Sequence, residues 1–329
     1  MKITSFAVVL VLILLFIFVR NHIDLEDNRT NMLLQTRYNR AIDTATQDAA
    51  QALITNVSQP LESQYQSAKN VRINKEQAAD TFFQTMYMNF NVTHDPTGQY
   101  VLNSYIPALV VIGYDGYYMY QFEEYRNARG ETQFRHVWSP KKPYVYKDQY
   151  DNTYSFTLDD YVTIQRKADE QWMKGFRGEI AGQAGVPLLK DTSAFDAARR
   201  TTIVNAIQND LERSINQYNV TSKRYGTSYT FTVPYISQED WNNTINDAGV
   251  LAFVQGIPLG SQYYNNYALG GARIIKRNIY NAITADSHHY YYPVGSCTSK
   301  YPTEEVFTSP KEAAQNGYRP LNCTIGYPN

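Results

Sequence analysis

The residues of this chain that could do chemistry are few and scattered. His288 and His289 stand beside Tyr290–Tyr292, and a histidine pair can bind a metal ion or act as a base. No spaced third histidine and no nearby acidic cluster in the sequence completes such a site. The pattern therefore favours surface or turn histidines over a metal or catalytic centre.

An acidic group and a glycine-rich segment are the next candidates. Asp148, Asp151, Asp159 and Asp160 suggest calcium, but their spacing misses the D-x-D/N-x-D/N-G loop, and turns or helix N-termini explain them as well. The glycines of residues 256–271 could let the backbone approach a ligand, although tight turns among aromatic residues are favoured. We therefore predict no metal and no cofactor.

The sequence also lacks the motifs of common enzymes. HExxH, G-x-S-x-G, G-x-x-x-x-G-K-S/T and G-x-G-x-x-G are all absent. No nucleophile–base pair is visible, which makes a hydrolase the least favoured class. The sequence predicts a non-enzymatic protein with no catalytic residue.

Cysteine usage bears on the compartment. Cys297 and Cys323 are the only two cysteines, and both come late in the chain. This usage fits an oxidising exterior and one disulfide bond, whereas two buried thiols in a cytosolic domain are the alternative. Sequons for N-glycosylation, which are common by composition in an Asn- and Thr-rich chain, occur at Asn28, Asn56, Asn91, Asn219 and Asn242.

The composition excludes several classes of protein. The 329 residues allow one large or two medium domains. Because 30 Lys and Arg balance 31 Asp and Glu, no net charge draws the chain to nucleic acid. The mean hydropathy of −0.47 excludes a polytopic membrane protein. The 29 tyrosines suit a large contact surface, because each ring covers apolar area while its hydroxyl stays hydrated.

The N-terminus predicts a membrane anchor. Residues 3–19 are an uninterrupted apolar run, short but sufficient to span a bilayer. A removed signal peptide is the alternative, but no small-x-small cleavage site follows. Lys2 favours an inside N-terminus and Arg20 argues against it, yet large domains translocate with little regard to charge. We expect a single-pass anchor over residues 1–20 in the cell membrane, with the bulk of the chain extracytoplasmic.

A helical stalk is expected over residues 21–90. Between Asn28 and Val57, apolar residues recur every three or four positions, as on one face of a long helix. Packing onto the chain's own sheet is the favoured explanation, and an interface with a partner helix is the alternative. This assembly face comprises Leu34, Tyr38, Ala41, Ala45, Ala49 and Ala52. A second helix is expected from Asn74, which forms a capping box with Gln77.

A mixed α+β ectodomain is expected over residues 91–285. Residues 107–125 predict a hairpin with its turn at Asp115-Gly116. Further strands at 132–138, 144–146 and 153–157 extend it into an antiparallel meander of four or five strands, which the stalk helices would cover. Beyond the meander we expect helices over 159–180 and 193–218, a strand over 227–234, a short helix opening at Ser237 and a strand over 250–254.

Two partial family resemblances accompany this α+β fold class. The apolar N-terminal helix, the Ala-rich amphipathic helix and the following sheet resemble a type IV pilin or pseudopilin, which implies packing of N-terminal helices in an envelope assembly. Phe6 lacks a preceding glycine and Leu10 stands where pilins carry glutamate. These differences indicate an unprocessed accessory protein.

The tail, residues 286–329, carries the second resemblance. The run from Phe307 to Pro320 resembles the metal-binding ribbon of bacterial DNA-alkylation repair regulators, but Pro293 and Leu321 stand where a histidine and a cysteine ligand would be. The resemblance implies a ribbon in which a disulfide between the two remaining cysteines replaces the metal, with no DNA chemistry.

The leading interpretation is therefore a non-enzymatic, membrane-anchored accessory or pseudopilin-like component of a bacterial surface or secretion apparatus, with envelope proteins as partners. The alternative is a Cache/PAS-like ligand-sensing ectodomain that works with a separate signalling partner. Only Met1 and Lys2 precede the apolar run in the sequence, so this alternative needs that partner for its output.

Overall fold

The computed structural model describes residues 2–55, 67, 69–182, 186–224, 229–233, 235–260, 262–272, 280–285, 287–293, 302–307 and 310–321, with the backbone alone at 2–14, 16, 17, 21, 23, 24, 243, 293 and 310–312. The chain divides into two units, Met1–Ile274 and Ile275–Asn329. The helices are α1 Lys2–Ala52, α2 Lys75–Asn89, α3 Pro96–Ser104, α4 Arg177–Ile180, α5 Pro187–Lys190, α6 Thr192–Arg224, α7 Gln238–Thr244 and α8 Pro310–Gln315.

The strands belong to three antiparallel or mostly antiparallel sheets. They are β1 Ala108–Gly113, β2 Gly116–Arg126, β3 Thr132–Trp138, β4 Tyr144–Lys147, β5 Thr153–Phe156, β6 Tyr161–Gln165, β7 Trp172–Phe176, β8 Gly249–Leu259, β9 Gln262–Gly271, β10 Tyr280–Ala285, β11 His288–Pro293, β12 Glu305–Phe307 and β13 Arg319–Pro320. The predicted α+β class with antiparallel sheets is thus confirmed.

Helix α1 is one unbroken helix of 51 residues, roughly 76 Å long at 1.5 Å per residue. It passes without a break through residue 20, where the predicted anchor ends. In the part of the chain that the structure describes, no helix has the length and apolar character needed to cross a membrane. Most side chains of the predicted span, residues 3–19, lie outside that part.

The central sheet has five strands in the order β3-β2-β1-β8-β9. The predicted hairpin is confirmed as β1–β2, but its turn lies one residue earlier than expected: Gly113 pairs with Gly116, and Tyr114-Asp115 make the two-residue turn. Among the described residues, the expectation of turns over 256–271 holds only at Gly260, between β8 and β9, because most of this segment forms β9 and the end of β8. The pairing of β8 with β9 shifts register between Gln255 and Ile257. A bulge forms there at Gly256, whose φ is +84°.

One face of the central sheet is covered by α1 and α2. Ala45, Ala49 and Leu53 are fully buried in one apolar cluster with residues of β1 and β8. The approach is close, since a Cβ atom added to Gly270 would lie 2.5 Å from the carbonyl oxygen of Thr46. Small side chains on α1 are therefore required by the packing.

This packing fixes the position of the predicted assembly face. Ala41, Ala45, Ala49 and Ala52 are all buried, while Leu34 and Tyr38 are half-buried. A partner helix cannot reach the four alanines in this fold. The four alanines are a packing face, and a partner surface on α1 has to consist of residues other than these four.

The opposite face of the central sheet packs on α6 and on a second sheet, β4-β5-β6-β7. The expected single meander is thus two sheets. The expected helix over 159–180 is wrong, because the segment forms β6, β7 and only the short α4. Residues 161–165, YVTIQ, are rich in β-branched and aromatic residues that suit a half-buried strand. By contrast, the expected helix over 193–218 is confirmed as α6.

Residues 229–233, where a strand was predicted, are held by hydrogen bonds from side chains. Within these described residues no strand forms, and two buried side-chain amides take the place of a neighbouring strand. Asn219 donates to the carbonyl of Phe231 and accepts from its N–H, both at 2.7 Å. Gln255 accepts from the N–H of Thr232 at 2.9 Å and donates to its carbonyl at 2.5 Å. Backbone groups that a sheet would satisfy are satisfied here by side chains.

The second unit is a small sheet in the order β12-β10-β11-β13 with α8. Its core contains Tyr280, Ala282, Phe307, Ala313 and Tyr318. Strand β10 pairs with β11 and β12, so it belongs with the tail and not with the ectodomain that was expected to end at residue 285. Both cysteines of the predicted disulfide lie outside the described residues.

Candidate functional site: an aromatic groove

A groove of about 690 Å³ opens between α2, α3 and the β2–β3 end of the central sheet. It exists because the helical cover is incomplete at this end. The side chains of β1 are fully buried, whereas Phe134, His136 and Trp138 of β3 are only half-buried. The lining, called the aromatic groove below, comprises Asp80, Phe83, Gln84, Tyr87, Tyr100, Asn103, Tyr120, Phe122, Phe134, Arg135, His136, Val137 and Trp138.

The floor of the aromatic groove is a row of neighbouring rings, in which stacked and tilted pairs alternate. The β2–β3 register pairs Tyr120 with Trp138 and Phe122 with His136, so alternate residues of both strands point to the same face. In the order Trp138, Tyr120, His136, Phe122, Phe134, successive ring centroids are 4.5, 5.1, 4.9 and 5.8 Å apart. These separations are within the range of favourable aromatic pairs.

His136 is the polar member of this row. Its Nε2 lies 2.8 Å from the carbonyl oxygen of Ile106, and because a carbonyl only accepts, Nε2 carries the proton. Nδ1 is then an acceptor with no hydrogen-bond partner among the described residues. Burial lowers the pKa of His136 from 6.5 to about 4, so the ring is neutral at pH 7 and is a weak base.

The wall opposite the sheet is built by α2 and α3. Asn74 caps α2 by accepting from the N–H of Gln77, but the predicted capping box is incomplete, because the Gln77 side chain bonds Thr81 and the Asn74 N–H donates to Leu53. One face of α2 then carries groove residues at the helical spacing i, i+3, i+4 and i+7, namely Asp80, Phe83, Gln84 and Tyr87. The Tyr87 hydroxyl donates to Oδ1 of Asn103 on α3 at 2.9 Å. Burial raises the pKa of Tyr87, so its hydroxyl stays protonated.

The aromatic groove carries little charge. Asp80 supplies a carboxylate on the α2 side. Arg135 lines the groove from the edge strand β3, and its guanidinium lies 4.3 Å from the ring centroid of Tyr125. Lys75, at the start of α2, lies over the ring of Trp138 at 4.5 Å and pairs with Glu76. The arrangement offers neutral donors and acceptors above an aromatic floor, which is the chemistry of a binding site.

The residues that the sequence suggested for chemistry lie elsewhere. His289 is in the β10–β11 hairpin, where its Nδ1 is 2.8 Å from the Thr284 hydroxyl. That hydroxyl also donates to Glu304 at 2.6 Å. Across the described part of the chain, no group of three or more His, Cys, Asp or Glu side chains is arranged to hold a metal ion.

The acidic candidates for calcium are engaged with the protein. Asp148 accepts from the N–H groups of Tyr150 and Asn152 and from the Tyr154 hydroxyl at 2.7 to 2.9 Å, which stabilises the β4–β5 turn. Asp159 accepts from the Tyr114 hydroxyl at 2.9 Å. These bonds agree with the interpretation of the acids as turn residues.

The sequence analysis missed the aromatic groove. Its only local signal is the alternation of aromatic residues along two consecutive strands, at 118, 120 and 122 and again at 134, 136 and 138. Comparison with known proteins adds no functional assignment, because no protein-family model, no curated protein and no solved structure matches this chain.

Proposed function

We propose that this chain is a non-enzymatic, single-pass membrane protein whose α+β body is extracytoplasmic. In this proposal it acts as an accessory or pseudopilin-like component of a bacterial surface or secretion apparatus. The observation that carries the proposal is the continuity of α1, a single helix from Lys2 to Ala52. Its first part contains the apolar run of residues 3–19, and its last part is buried in the core of the body.

The middle of α1 supports a role in assembly. Leu25, Met32 and Leu33 expose 67, 69 and 64% of their surface, so this segment presents apolar side chains that a partner could cover. These residues precede the buried alanine stripe and follow the apolar run. A neighbouring helix of an envelope protein is the partner that such a segment would accept.

A topology experiment tests this proposal. The full-length protein is expressed with a C-terminal epitope in a bacterium, and protease is added to intact spheroplasts. The expected result is loss of the epitope signal with a cytoplasmic marker intact, and an N-terminal sequence that starts at Met1 or Lys2. A body protected from protease, or a mature start beyond Val19, contradicts the proposal.

For the tail, we propose a disulfide between Cys297 and Cys323 as the link that closes the small C-terminal ribbon. The second unit has a core of few apolar residues. Small folds with such cores commonly need a covalent or metal link, and an oxidising compartment permits a disulfide.

A second candidate function is ligand sensing through a separate signalling partner. The aromatic groove favours it, because a groove of this volume with several polar groups around an aromatic floor is suited to a small molecule. The two candidate functions, envelope assembly and ligand sensing, differ in whether the protein binds a small ligand. The calorimetric titration described below measures that binding.

A further inference from the structure

We infer that the aromatic groove binds a short neutral saccharide. This inference rests on the second candidate function, ligand binding by the body, and it is independent of the membrane anchor. It follows from the polar groups of the groove, from its charge and from its exposed aromatic surface.

The unpaired polar groups of the aromatic groove match a ligand rich in hydroxyls. Oδ1 of Asn103 is taken by Tyr87, which leaves the Asn103 amide as a donor. Nδ1 of His136 is an acceptor, and the Tyr120 hydroxyl can both donate and accept. None of these three groups has a hydrogen-bond partner among the described residues. A saccharide presents hydroxyls that donate and accept at neighbouring positions, so it can satisfy this mixed set.

The charge of the aromatic groove favours a neutral ligand. Asp80 is exposed on the α2 wall, where its carboxylate can accept from two adjacent hydroxyls. The positive charges at the groove are balanced, because Arg135 and Asp80 on its lining carry one charge each of opposite sign, and Lys75, over the Trp138 ring, pairs with Glu76. A phosphorylated or polyanionic ligand would lack a cluster of cations to hold it.

The aromatic surface offers one free ring on which the apolar C–H face of a sugar can pack. The faces of the floor rings are largely used by their neighbours in the row. Tyr100, at the rim, is 50% exposed and stands 6.3 Å from Phe122, so it offers a free ring to a ligand that extends out of the groove. The volume of about 690 Å³ is within the ~300–1,000 Å³ typical of small-molecule sites.

Calorimetric titration of the full-length protein tests the inference. The protein is purified in an amine-oxide detergent, which carries no sugar headgroup, and is titrated with cellotriose, maltotriose and chitotriose. The variants Tyr100→Ala and Asp80→Asn change the rim and the carboxylate without removing a buried side chain. Tyr150→Ala is the matched control, since Tyr150 is 57% exposed and lies in the β4–β5 turn outside the groove. Circular dichroism melts verify that every variant is folded.

We expect at least one trisaccharide to bind with a Kd below about 1 mM, and each groove variant to weaken that binding at least tenfold, or about 1.4 kcal/mol. Tyr150→Ala leaves the affinity unchanged. The inference is overturned if none of the three sugars binds the folded protein, or if binding survives both groove variants. It is also overturned if tyramine, an aromatic amine titrated in the same way, binds and loses its binding in Asp80→Asn while the sugars do not bind. Protease topology is measured separately, so an external body without sugar binding refutes only this inference, and sugar binding by a protected body refutes only the extracytoplasmic placement of the body.

Discussion

Replacement of Asn219 by alanine probes the least expected feature of the fold. The oxygen and the nitrogen of the Asn219 side-chain amide each make a hydrogen bond of 2.7 Å to the backbone of Phe231. Asn219 is only 8% exposed. In Asn219→Ala, the N–H and the carbonyl of Phe231 lose their partners together. No neighbouring strand is available to replace them in residues 229–233.

The expected loss of stability follows from the N–H and the carbonyl of Phe231, which are left without partners. A buried backbone group left without a partner costs about 1–3 kcal/mol, and the better helix propensity of alanine returns about 0.5 kcal/mol. The free energy of unfolding should therefore fall by roughly 1.5–5.5 kcal/mol. The ring of Phe231 also packs edge-on against Tyr218 at 4.8 Å, so loosening of this segment should expose that contact as well.

Urea unfolding followed by tryptophan fluorescence measures the loss, and hydrogen exchange locates it. Asn216→Ala is the matched control, because Asn216 is an exposed residue one turn earlier in α6; it should be neutral or slightly stabilising. Exchange should accelerate at residues 229–233 in Asn219→Ala and stay unchanged in the control. Stabilities of the two variants within about 0.5 kcal/mol of each other would refute the reasoning.

Three further predictions follow from other contacts. Gly270→Ala should destabilise the protein in the same urea assay, because its Cβ would lie 2.5 Å from an α1 carbonyl oxygen, whereas Gly271→Ala, with nothing within 4 Å, should not. The low pKa of His136, about 4 against 6.5, means that the unfolded chain takes up a proton first as the pH falls. Stability should therefore decline between about pH 6.5 and 4 by at most roughly 3 kcal/mol and level off below, and His136→Gln should remove that part of the pH profile. Thiol labelling of the unreduced, denatured protein should find Cys297 and Cys323 unreactive, and two labelled thiols or bound zinc would contradict the disulfide.

Local sequence patterns predicted the elements that local interactions determine. The β1–β2 hairpin, the Asn74 cap of α2, the stripe of α6 and the Ser237 cap of α7 were each visible within a few residues. The helix expected over 159–180 was wrong because β6 and β7 are short and their stability comes from pairing within the second sheet. The pairing of β1 with β8 joins residues far apart in sequence, for which a single sequence carries no local signal.

The aromatic groove could be predicted only in part. Alternating aromatics indicate that one face of β2 and β3 is aromatic, but whether that face is buried depends on how far α2 extends across the sheet. The strand expected over 227–234 shows the same limit. Its pattern is typical of a strand, yet the structure supplies Asn219 and Gln255 as partners, and no pattern within the segment indicates them.

The buried amide of Asn219 has a consequence for producing this protein in other hosts. Asn219-Val220-Thr221 is an acceptor sequence for N-linked glycans, and a glycan attached to the amide nitrogen would occupy the atom that bonds Phe231 in the interior. A glycosylating secretory pathway would therefore divide the product into unmodified chains that fold and modified chains that do not. The exposed Asn28 and Asn91 could carry glycans on the surface. Replacement of Thr221 by valine would remove the acceptor sequence and keep the amide in its place.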